Sequence, residues 1–144
     1  MTDDVRLGPA SPAPAEPHSK DHYSDRALDH LTRPRNAGTL SGPSGTGSDA
    51  NPSCGDRTTI TLRVADGRVA ELRFRTFGCT AAIASASVLT ELAAGLSVDD
   101  AARLEPADIL NALGGLPVRK EACALMAIGA LRGALVDARV RATA

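Results

Sequence analysis

The clearest alternation of apolar and polar positions lies near the middle of the chain. In TITLRV, Ile60, Leu62 and Val64 alternate with polar residues, and in AELRFRT, Ala70, Leu72 and Phe74 do the same. A period of two places each apolar set on one face of a strand. Asp66-Gly67 between the two runs is a strong two-residue hairpin signal. After Gly78 the period changes. Ala82, Ala86, Leu89, Ala93 and Leu96 fall on one helical stripe, and Gly95 ends that helix. SVDDAARL and PADILNAL read as two short helices, the first capped by Ser97 and the second opened by Pro106. GGLP turns the chain into a last helix, where Ala124, Ile128, Leu131, Leu135 and Ala138 repeat the stripe. Cys123, Ala127, Ala130 and Ala134 form a ridge of small residues beside it, suited to close packing.

The first part of the chain is less periodic. A short helix is expected after Asp21 or Ser24, either of which can cap it, with Leu28 and Leu31 on one face. Pro34 stops it, because the residue before a proline is pushed out of helical geometry. AGTLSGPSGTGSDANPSCGD is a loop by composition, with room for one irregular edge strand, and its glycines would let backbone approach something closely. Strands first and helices after them predict an α+β fold: a small antiparallel sheet of about three strands with helices packed on one face.

Composition narrows this picture. A chain of 144 residues suits one domain, assigned here to residues 21–141. Residues 1–20 are rich in Pro, Ala and charge, lack an apolar period, and read as a disordered tail. Two Phe, one Tyr and no Trp require an aliphatic core. A net charge of −1 with scattered basic residues speaks against a nucleic-acid partner. No apolar run approaches the roughly 18 to 20 residues of a membrane span, and the N-terminus lacks the blocks of a signal peptide. Three widely separated cysteines argue for reduced thiols, and so for a cytoplasmic location.

Each cysteine falls at a boundary between elements. Cys54 lies in the loop before the hairpin, Cys79 at the start of the long helix, and Cys123 in the first turn of the last helix. A helix N-terminus carries partial positive charge and free N–H groups, which favour a thiolate. If the three converge, they and Asp56 make four ligands for a tetrahedral zinc or for the irons of a small cluster. In NPSCGD, Gly55 would let the backbone turn so that Cys54 and Asp56 face the same ion. Residue chemistry alone leaves each cysteine equally readable as a small buried hydrophobe, and reads Asp56 first as a turn residue. Ser85, Ser87 and Thr90 read as helix packing or surface, and His18, His22 and His30 read poorly as ligands.

NPSCGD, FGCTAAIASASVLTE and LPVRKEAC, in this order, closely resemble the U-type iron–sulfur cluster assembly scaffolds, the IscU proteins and the N-terminal domain of NifU. YSDRALDHLTRPRNAGTL is similar to the family's N-terminal segment, and the resemblance runs from about Tyr23 to about Val136. It implies a scaffold, not a turnover enzyme, on which a transient [2Fe–2S] cluster is built from iron and desulfurase sulfur and then passed to apo-proteins. Cys54, Asp56, Cys79 and Cys123 match the cluster ligands, which hold zinc when no cluster is present, and Cys123 matches the cysteine that receives persulfide sulfur. The implied partners are a cysteine desulfurase, apo iron–sulfur proteins and an Hsp70-type chaperone system.

Two departures stand out. Ala122 replaces the family's histidine before the third cysteine, which should make the site more dependent on Asp56. The chaperone motif reads Leu116-Pro117-Val118-Arg119-Lys120, with one proline where the family has two. The competing readings are a zinc-dependent sulfur acceptor, which uses the same four residues, and a degenerate regulatory homologue. A cysteine-nucleophile hydrolase fits poorly, because no histidine lies among the motifs to activate a thiol.

Overall fold

The computed structural model describes residues 23–51 and 55–143. The expected tail, the Asp21 cap and Cys54 lie outside the described residues. Three antiparallel strands, β1 (Gly45–Asn51), β2 (Asp56–Ala65) and β3 (Arg68–Phe77), form one sheet in the order β1-β2-β3. Among the described residues five α-helices accompany it: α1 (Asp25–Thr32), α2 (Thr80–Ala93), α3 (Val98–Ala102), α4 (Pro106–Leu113) and α5 (Glu121–Ala142). The α+β architecture expected from the sequence is the one observed.

The hairpin forms at Asp66-Gly67, where both residues have positive φ (55° and 73°), as a type I′ turn requires. One detail of the alternation is corrected. Ala70, expected inside, is exposed, and Val69 is buried. The register explains it: Arg63 pairs with Glu71 but Val64 pairs with Val69, so Ala70 is the extra residue of a β-bulge. Val69 then exchanges backbone hydrogen bonds with Gly95 and Leu96, which ties the end of α2 to the hairpin.

The glycine-rich stretch supplies the edge strand β1, and its glycines have a measurable reason. A Cβ on Gly45 would stand 2.2 Å from the Ala134 carbonyl oxygen, and one on Gly47 would stand 2.2 Å from the Ala134 nitrogen. Helix α5 therefore lies with its small-residue ridge directly on the strand's backbone. The aliphatic core fills the space between Ile60, Leu62, Leu72 and Phe74 on the sheet and the facing sides of α2 and α5. Ten of the fourteen residues of α2 are buried, so it is the central helix, enclosed by β3, α1, α4 and α5.

The face of α1 is a second correction. Leu28 is exposed, and Ala27 and His30 are the buried residues. The surface that α1 meets on α2 is polar: His30 Nδ1 lies 2.7 Å from Ser87 Oγ, and His30 Nε2 lies 3.4 Å from a Glu91 carboxylate oxygen. Ser24 caps α1 through the Ala27 N–H, and its hydroxyl also donates to the Leu113 carbonyl of α4. Ser85, Ser87 and Thr90 are all buried in the helix packing, none at the surface.

Candidate metal-binding site

The sheet's inward face continues into the site. Thr58, Ile60 and Leu62 point into the core from β2, and Asp56 holds the next inward position at the strand's end. It is the first residue of a strand and only 7% exposed, so it is not a turn residue. Cys79 is the N-cap of α2, and Cys123 is the third residue of α5. The strand end and the two helix starts meet: an Asp56 carboxylate oxygen and the sulfurs of Cys79 and Cys123 all lie within 4.8 Å of one another. The two sulfurs are 3.6 Å apart, and the Cys79 N–H points to Asp56 Oδ2 at 3.5 Å.

The electrostatics divide the thiols. Cys79 is lowered to about 6, first by the Cys123 thiol donating to its sulfur and then by the Ala82 N–H in the first turn of α2. Cys123 is pushed far up for the complementary reason: it keeps the proton it gives to Cys79, it is buried, and the Cys79 and Asp56 charges oppose a third anion. The expectation that both helix N-termini favour thiolate is thus met at Cys79 and reversed at Cys123, because two like charges at this separation are not both formed without a cation. The Lys120 ammonium, just ahead of α5, favours ionisation of both thiols, and sequence reasoning did not connect it with them.

Gly78 is the other residue that sequence reasoning missed. It lies between the end of β3 and Cys79, and a Cβ there would stand 2.5 Å from Asp56 Cγ. Its signal was a glycine beside a cysteine where a strand passes into a helix. Ala122 is exposed beside Cys123. His18 and His22 lie outside the described residues; among the described residues the one histidine, His30, is held by Ser87 and Glu91 and not by a thiol.

Two thiols and a carboxylate converging on one point form a mixed sulfur and oxygen donor set suited to iron or zinc. Residues 22–144 match the family model described as the NifU-like N-terminal domain. The chain belongs to this family. Among relatives, the iron–sulfur cluster assembly scaffold protein IscU 1 of Archaeoglobus fulgidus is 44% identical over 115 residues, covering 80% of this chain and 75% of the relative. The bifunctional protein NifU/MnmA of Rubrobacter xylanophilus is 48% identical over 119 residues, covering 81% of this chain and 24% of that protein. The crystal structure of a nitrogen-fixing NifU-like protein (N-terminal) from Brucella abortus superposes with a TM-score of 0.67 at 22% identity, covering 81% of this chain and 94% of that one. That likeness shows the fold. Among the described residues, no helix is long and apolar enough to cross a membrane.

Proposed function

We infer that this protein is a scaffold on which iron–sulfur clusters are assembled and from which they are passed on. The observation that carries this reading is the convergence of Asp56, Cys79 and Cys123 at the ends of three elements, within 4.8 Å of one another. The names borne by its relatives, IscU and NifU scaffolds, point the same way. Residues 21–141 are proposed as the unit that does this work, and Cys54, two residues ahead of Asp56 in the sequence, as the fourth ligand beside the other three.

The cargo is a [2Fe–2S] cluster, and zinc takes the same donors when no cluster is present. Cys79, already ionised near neutral pH, is the sulfur ready to meet a metal ion. Cys123 is the acceptor of sulfur from a cysteine desulfurase. Its sulfur attacks the outer sulfur of the donor's persulfide, a new S–S bond forms on Cys123, and the donor's thiolate leaves. The proton of Cys123 passes to Cys79, 3.6 Å away. Asp56 contributes a harder oxygen donor, a weaker partner for iron than a thiolate, so a cluster held through it leaves more readily. Apo iron–sulfur proteins are the recipients. An Hsp70-type chaperone reads the segment Leu116–Lys120, where Val118 is 84% exposed.

Anaerobic reconstitution with iron, a cysteine desulfurase and cysteine tests this reading. Visible charge-transfer bands with iron and sulfide in near-equal amounts are expected, and a longer-lived cluster in Asp56→Ala. A colourless protein that retains zinc would instead be a sulfur acceptor.

A further inference from the structure

The residue that Asp56 lies across, Gly78, has no side chain. We propose that Gly78 is the positioning residue for the Asp56 carboxylate, and so decides whether the site keeps its oxygen ligand. The inference rests on the assignment of Asp56 as a ligand. A Cβ on Gly78 would meet three atoms of one side chain, Asp56 Cγ at 2.5 Å, Oδ1 at 2.8 Å and Cβ at 2.9 Å. The Asp56 side chain therefore fills the space that a Cβ on Gly78 would need, while its other oxygen faces the N–H of Cys79 at 3.5 Å. Two successive residues thus seat it, one by leaving space and one by offering a donor.

Asp56 cannot retreat along the chain, because β2 pairs there with Asn51 of β1 and the next residue, Arg57, pairs with Phe77 of β3. Rotation about its own Cα–Cβ bond relieves the two closest contacts and swings the carboxylate off the two sulfurs, while the 2.9 Å contact to Cβ needs only a shift of a few tenths of an ångström. An alanine at Gly78 would leave Asp56 in the sequence and remove it from the site. Gly55, Gly67 and Gly95 share a positive φ with Gly78 (158°) but differ in their surroundings: nothing lies within 4 Å of a Cβ added to any of the three.

The test uses the full chain and the metal alone. Cobalt(II) is bound to wild type, Gly78→Ala, Asp56→Ala and the double variant, and zinc affinity is measured by competition. Cobalt reports its donors directly, because its visible ligand-field bands shift when an oxygen ligand is lost and its thiolate charge-transfer bands remain. Gly78→Ala is expected to give the ligand-field spectrum of Asp56→Ala and to weaken zinc by about ten- to a hundredfold, as loss of a ligand-orienting neighbour does. The double variant is expected to match Asp56→Ala alone. A wild-type spectrum and affinity in Gly78→Ala, with Asp56→Ala altered, would overturn the proposal and leave the ligand assignment standing. An unaltered Asp56→Ala would overturn the ligand assignment itself, and the proposal with it. An additive loss in the double variant would also overturn it, since Gly78 would then act on something other than Asp56. If Gly78→Ala alone does not fold, the pair Gly78→Ala with Asp56→Gly, in which all three close contacts are gone, is expected to fold, and its failure to do so would show a backbone role and overturn the proposal.

Discussion

Helix α2 carries two polar clusters, and they differ in how their groups are answered. In its middle, Ser87 and Thr90 meet α1 and the segment that follows it. Ser87 Oγ contacts His30 and accepts the Arg35 N–H at 2.8 Å, Asn36 donates to Thr90 Oγ1 at 3.0 Å, and Arg35 holds Asp29 at 2.5 Å. Donors there face acceptors, and Arg35 Nη1 is the one atom of that group that finds no partner among the described residues. At the start of α2, Cys79, Cys123 and Asp56 bring together two sulfurs and a carboxylate, all suited to holding negative charge. A cluster that satisfies itself holds elements together. A cluster of acceptors of one sign is completed from outside, by protons or by a metal ion.

Exchanging the damage between the two clusters gives the largest effects. Cys79→Ser is expected to reduce zinc retention by more than the roughly hundredfold that loss of an outer-shell partner costs. It should change the melting of the metal-free protein little. Ser87→Ala should do the reverse. It strips partners from His30 Nδ1 and the Arg35 N–H, and each buried group left unpaired costs about 1–3 kcal/mol. The melting temperature should fall by at least about 4 °C, with zinc content unchanged. Calorimetry and metal analysis on both variants check this. Metal loss in Ser87→Ala with a lowered melting point in Cys79→Ser would erase the distinction.

The two clusters were also unequally legible in the sequence. At the site the sequence showed a cysteine at each helix start and left convergence as a condition; Asp56 read first as a turn residue, and the structure sets it in step with Thr58, Ile60 and Leu62. What stayed hidden was the space beneath the carboxylate, because Gly78 acts through the absence of a side chain. The bulge at Ala70 was hidden because a two-residue period cannot register one inserted residue. The Ser87 cluster was missed for a different reason. Apolar periodicity chose Leu28 for the buried face of α1, but the surface opposite is polar, so His30 is the residue that fits. The β1 stretch read as a loop with room for one irregular edge strand, because glycines signal turns; here they make room for the backbone of α5.

A smaller effect sharpens the site's side of the comparison. Ala122 is the exposed second residue of α5, directly before Cys123. On the proposed ligand set, Ala122→His would add an imidazole, a neutral metal ligand, beside Cys123 in a site that otherwise depends on Asp56 for a ligand other than sulfur. Zinc release to a chelator is expected to slow, by up to about tenfold, and the effect should be larger in an Asp56→Ala background. Equal release rates with and without the histidine would mean that position 122 does not face the metal.

The smallest effect lies in the closed cluster and concerns pH. Burial holds the His30 imidazole below its usual value, and the Arg35 charge acts in the same direction, while Glu91 and Asp29 oppose both. The folded protein therefore resists a proton that the unfolded chain accepts below about pH 6.5. Where the unfolded state binds more protons, stability rises with pH. The contribution of His30 is thus fully present above that pH and is lost as the pH falls below it. Melting of the metal-free protein between pH 8 and 5.5 should show this fall, and His30→Gln, which can still bond Ser87 but does not titrate, should show a shallower one. The difference between the two curves removes the carboxylates common to both. Using metal-free protein removes the linkage between thiol protonation and metal binding at the other cluster. Parallel curves would mean that Glu91 and Asp29 offset burial in full, and that α1 is docked equally well by the charged imidazole.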